Sequence, residues 1–183
     1  MVDKDEELRP PAAVAQRALA LLMVIQRVYE ESPLALRNWV TERGIDQYFS
    51  EAEREYFFSD SPTERQRSNF SWRSEAALVL LWALGLGDRL PSLRTKANLS
   101  GVSALAEVYS DIDAFVASAT LRSELEFHEL EEKMSEVHWK VRDAKLNGKR
   151  PPRHVDGGII QERRHTTCWL LGDEDWDEVA VDT

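Results

Sequence analysis

The chain carries one cysteine, Cys168, in 183 residues, so no internal disulfide can close, and no CxxC pair exists to hold a structural zinc. Stability therefore has to come from packing. Glycine (8) and proline (7) are scarce, which excludes collagen-like and low-complexity chains. The longest uninterrupted apolar run, Ala76 to Leu84, is far short of the about 20 residues that span a bilayer. The opening MVDKDEE is acidic where a secretory signal needs positive charge. Positive charge is lacking overall: 33 Asp and Glu face 23 Lys and Arg, a net charge of −10 that repels phosphate backbones. GxSxG, P-loop and GxGxxG signatures are absent. These gaps predict a cytoplasmic protein with neither nucleic acid nor membrane as partner.

What is present is an ordinary globular composition, 43% hydrophobic and 31% charged. A chain of this length can bury about 70% of its extended surface, enough for one substantial core. Apolar residues recur at intervals of three and four from Pro11 to about Glu31, at Val14, Ala18, Leu21, Leu22, Ile25 and Val28. Ser32 with Pro33 starts a second helix, which Gly44 stops. Ser50 with Glu53, Ser61 with Glu64 and Ser123 with Glu126 have capping-box spacing. Asn69 to Leu84 becomes apolar on nearly every side, as a central helix would. Glu124 to Asn147 and about Ile159 to Leu171 are the last two long helical stretches, separated by the turn NGKRPPRHVDGG.

Alternation is too scarce for a sheet. The sequence predicts an all-α single domain of about seven to nine helices around a buried helix at about 70–84. Residues 1–10 form a flexible N-terminus, 11–172 the helical domain, and 173–183 an acidic tail docked through Trp176.

Helical geometry then nominates chemistry. Glu75 falls between Val79 and Trp82, Arg163 on the stripe of Ile159, Thr166 and Leu170, and His138 on that of Phe127, Leu130, Met134 and Val141, with Arg142 one turn on. An isolated buried charge costs too much to persist, so Glu75, His138, Arg142 and Arg163 are expected to form a buried polar cluster. Its structural reading is a network that fixes helix register. Its functional reading is a ligand or catalytic site, with guanidiniums gripping an anion and Glu75 or His138 moving a proton.

No metal or cofactor is expected. Glu162 and His165 make one ExxH where a dimetal bundle needs two, HELEE at His128 lacks a second histidine, and Asp173, Asp175 and Asp177 lack the rest of a calcium loop. Cys168 reads as a packing residue. Trp176, among the carboxylates of DEDWDE, either pins the tail or, with Asp175 and Asp177, anchors a partner.

NFSWRSEAALVLLWALGL, VHWKVRDAKLNG, ERRHTTCWLLG and the closing DWDEVAVDT resemble, in that order, the bacterial domain-of-unknown-function family 4272, from about Ala12 to Thr183. Trp72, Glu75, Trp82, His138, Trp139, Arg142, Arg163, Trp169 and Trp176 fall on motif positions of that family. The resemblance implies a shared fold and brings no activity, substrate or cofactor. Where the family's last helix commonly reads ERHYALNWL, this chain has Arg164, His165, Thr166, Thr167 and Cys168, a departure that leaves Glu75 and Arg163 untouched.

The net charge and the tail predict a non-catalytic interaction module, immunity-like or accessory, whose partner is a protein with a basic surface. The alternative is a small-molecule-binding protein or hydrolase built on the Glu/His/Arg cluster. The sequence does not fix the oligomeric state.

Overall fold

A computed structural model describes residues 8–181. It holds α1 (Pro11–Tyr29), α2 (Leu34–Glu42), α3 (Glu51–Phe58), α4 (Glu64–Ser71), α5 (Arg73–Ala83), α6 (Leu105–Ser110), α7 (Ile112–Ala117), α8 (Glu124–Leu146) and α9 (Gly157–Leu171). Two short 3-10 turns, Ile45–Tyr48 and Leu99–Gly101, complete the set, and the described residues include no strand. The all-α expectation holds.

The core is a stack in the order α1, α5, α9, α8, each helix packed on the next. α1 begins with Pro11 at its first turn, where a missing N–H costs nothing, and buries Val14, Ala15, Ala18, Leu19, Leu21 and Val24 completely. By length and composition α1 could cross a membrane, yet most of it is enclosed here by α3, α4, α5 and α7. It also carries two buried arginines, Arg17 and Arg27. α5 lies between α1 and α9 and buries Ala76, Ala77, Val79, Leu80 and Leu81.

Side-chain caps set the starts of α3, α4, α7, α8 and α9. Ser50 with Glu53 and Ser123 with Glu126 form complete capping boxes, as their spacing predicts. The expected Ser61 box does not form. Thr63 accepts from the Gln66 amide at 3.2 Å while Gln66 Oε1 accepts from the Thr63 amide at 2.9 Å, so α4 starts two residues later with both end amides satisfied. The stretch from Asn69 to Leu84 divides at Trp72, which ends α4 and opens α5 in helical conformation (φ −69°, ψ −19°), bending the chain without releasing it. α9 starts at Gly157 because Asp156 accepts from the amides of Gly158 and Ile159 at 2.8 and 3.2 Å. Of the expected flexible N-terminus, residues 1–7 lie outside the described residues. Arg9 is tied down, donating to the Trp169 carbonyl at 2.6 Å with its guanidinium 4.4 Å from the Trp169 ring.

The Trp72 bend leans on a glycine: a Cβ at Gly158 would sit 2.7 Å from the indole ring. Gly158→Ala should therefore push Trp72 aside and cost about 1–3 kcal/mol, as overpacking does. Thermal unfolding followed by circular dichroism checks this, and an unchanged midpoint would mean that the indole moves freely.

Candidate functional site

Helical spacing places Glu75 in the first turn of α5, where a carboxylate suits the helix dipole, and Arg163 in the middle of α9. Both side chains are 1% exposed. Arg163 Nε and Nη2 donate to Glu75 Oε2 at 3.1 and 3.0 Å. The other oxygen, Oε1, accepts from the backbone amide of Ala97 at 2.6 Å, and Arg163 Nη1 donates to the Pro91 carbonyl at 2.7 Å. Every branch of the pair is thus spent on protein, and two of its four bonds hold the irregular connection between α5 and α6.

His138 and Arg142 take a different place. Together with Ser135, Trp139, Asp143, Leu146 and Arg164 they line a cleft of about 280 Å³ along α8. The structure therefore joins Glu75 to Arg163 and sets His138 and Arg142 beside Trp139 on another surface. Arg164, next in chain to Arg163, reaches back to Glu131 of α8.

A second polar junction, not anticipated from the sequence, sits where the tail meets the body. Arg17 of α1 pairs with Glu53 of α3, both buried, and Glu53 Oε2 also accepts from the Ser50 amide at 3.0 Å. The Arg17 guanidinium lies 5.1 Å from the ring of Trp176, which stands edge-on to Trp169 at 5.4 Å and to His165 at 4.6 Å. Trp176 is 4% exposed, its ring enclosed by Trp169, His165 and the Arg17 guanidinium. Asp175 and Asp177 on either side of it are exposed.

His165 Nε2 is 3.0 Å from the Trp176 carbonyl, which can only accept, so the neutral imidazole carries its proton on Nε2. Burial, then the Arg73 cation, holds this histidine down to about 4, against the pull of the Trp176 carbonyl and Asp177. Among the described residues His165 Nδ1, Arg17 Nε, Glu53 Oε1 and Trp176 Nε1 have no protein partner, so this junction is less completely bonded than the Glu75 pair.

The weaker motifs are occupied by ordinary contacts. Glu162 accepts from Arg73 at 2.8 Å, and His165 is committed to the tail, which uses up the lone ExxH. No group of three or more metal-ligating side chains occurs among the described residues. Burial raises the Cys168 thiol, keeping it protonated.

The sequence profile described as "Domain of unknown function (DUF4272)" matches residues 2–179. The chain belongs to the DUF4272 family, with the helical fold described above. No curated protein and no solved structure matches it.

Two tests follow from these geometries. Arg163→Met leaves Glu75 charged and buried with only the Ala97 amide, so it should cost about 3–5 kcal/mol in urea unfolding, and adding Glu75→Leu should recover part of that. For His165, the folded state keeps the imidazole neutral down to about pH 4 while the unfolded chain binds a proton near its ordinary value of 6.5. The contribution is therefore full above 6.5 and is lost as pH falls through that window. The unfolding midpoint should drop between pH 6.5 and 4, and His165→Gln should flatten that slope.

Proposed function

We propose that this protein is a non-catalytic interaction module of the cytoplasm, immunity-like or accessory, that docks a partner with a basic surface through its C-terminal ridge. The observation that carries the reading is the way the tail is held. Trp176 is buried between Trp169, His165 and Arg17, so Asp173, Glu174, Asp175, Asp177 and Glu178 stand on a fixed platform at the surface. Beside them a cleft of about 390 Å³, rimmed by Glu51, Asp175, Asp177 and Glu178, is large enough for one long basic side chain.

Fixed carboxylates of one sign suit this role physically. They lose little conformational freedom on binding, and with the net charge of −10 they speed the approach of a positively charged surface. The bonding of Glu75 and Arg163 fits the same reading, since a pair committed to Ala97 and Pro91 has a structural task already.

Native mass spectrometry on protein purified gently from its own host tests the proposal. We expect a second protein that dissociates as salt rises and is lost from the Asp175→Asn, Asp177→Asn variant. Binding insensitive to both salt and these substitutions, or a small-molecule mass in place of a protein, would overturn it.

A further inference from the structure

The charges of this acidic chain are divided by place. Residues 89–106 hold Arg89, Arg94 and Lys96, residues 144–155 hold Lys145, Lys149, Arg150, Arg153 and His154, and neither stretch contains an acid. With His154 neutral the two stretches carry +7, which leaves −17 on the rest of a chain whose total is −10. All eight side chains are exposed. Most of these bases are not used by the fold. Elsewhere Arg17, Arg37, Arg73, Arg122, Arg163 and Arg164 are each bonded to a carboxylate. Arg89, Arg94, Lys145, Arg150 and Arg153 make no ion pair or hydrogen bond among the described residues.

The fold brings the two stretches to one end of the molecule. α8 and α9 run antiparallel, since a Cβ at Gly157 would lie 3.9 Å from Val141 while Arg164 pairs with Glu131. The turn between them therefore stands where α8 ends and α9 begins. The first stretch is fastened to the same place. The Leu93 carbonyl accepts from the Asp156 amide at 2.8 Å, and Lys96 Nζ lies 4.4 Å from the ring of Trp72, which packs on Gly158. The bonds of Arg163 to Pro91 and of Glu75 to Ala97 hold that stretch in position. The acids that border the turn are already engaged, Asp143 by Lys149 at 3.0 Å and Asp156 by the first amides of α9. The acidic ridge stands at the other end of α9, about 22 Å away at 1.5 Å per residue.

We infer that this basic end is a docking surface for an acidic segment of a partner protein, a short run of Asp and Glu carboxylates. It is a second surface, separate from the ridge. Like charges held together without partners repel one another, and an anion of matching extent relieves that repulsion. Arg94, Arg150 and Arg153 present the planar fork that grips a carboxylate with two bonds. Two observations favour carboxylates over phosphates. The place at this end best suited to a phosphate, the N-terminus of α9, is filled, because Asp156 accepts from the amides of Gly158 and Ile159. A nucleic acid strand would also continue past the patch onto a surface carrying −17, whereas a short acidic segment ends where the bases end.

Fluorescence anisotropy of a labelled peptide of ten glutamates, titrated with the full chain at low salt, tests this. Half-saturation is expected below about 0.5 mM, and binding should weaken as salt rises. Arg150→Glu with Arg153→Glu should raise the dissociation constant at least about tenfold, and Arg94→Glu alone at least about threefold, because both stretches belong to one surface. Arg65→Glu with Lys133→Glu makes the same change of charge at exposed bases elsewhere and should alter binding less than about twofold. Every substituted side chain is exposed, and circular dichroism checks that each variant folds. Asp175→Asn with Asp177→Asn should keep peptide binding, so failure here and failure of docking at the ridge are told apart. No saturation by about 1 mM would overturn the inference. So would an equal loss in the Arg65 and Lys133 variant, an Arg94→Glu variant that binds like the wild type, or a strand of ten thymidines that binds more tightly than the peptide.

Discussion

The buried pair between Glu75 and Arg163 is the constraint around which the rest of the molecule is arranged. A carboxylate and a guanidinium out of water are tolerable only when their remaining donors and acceptors are used. Here they are used on each other, on the amide of Ala97 and on the carbonyl of Pro91. One interaction therefore joins α5 to α9 and fastens the irregular chain between α5 and α6 onto both. Because α5 also packs on α1, and α9 on α8, the two residues sit at the middle of the helix stack. Replacing either alone strands a charge where no water reaches it.

The tail junction works on a different balance. Arg17, Glu53, His165 and Trp176 are enclosed, yet several of their polar atoms lack protein partners among the described residues, each at a cost of order 1–3 kcal/mol if left dry. Aromatic packing offsets part of that, with Trp176 edge-on to Trp169 and His165 and a cation near its face. Burial keeps the His165 imidazole neutral while its Nε2 donates to the Trp176 carbonyl. The consequence is a platform of carboxylates whose position is set by one indole and one imidazole.

Much of this was legible in the sequence. Three-and-four spacing placed Glu75 and Arg163 on core-facing stripes, and the requirement that a buried charge find a partner joined them. It extended the same cluster to His138 and Arg142, because a helical stripe says which face a residue shares but not which neighbour lies across it. The bonds to Ala97 and Pro91 had no signal, since loop backbone has no side-chain pattern. Arg17 did have one: it follows Val14 by three and precedes Leu21 by four on the buried stripe of α1. The shift from Ser61 to Thr63 shows that two capping signals two residues apart are decided by which box closes on both sides.

Hydrogen exchange at the amide of Ala97 tests most directly that the Glu75 pair is a structural tie. Ala97 lies in an irregular segment whose neighbours Lys96 and Asn98 are both exposed, so its amide has no helix to protect it. If its bond to Glu75 opens only when α5 and α9 separate, it should exchange as slowly as the core amides of Val79 and Leu80. Exchange as fast as that of Lys96 would show that the carboxylate is free to leave its partner, and would contradict the account.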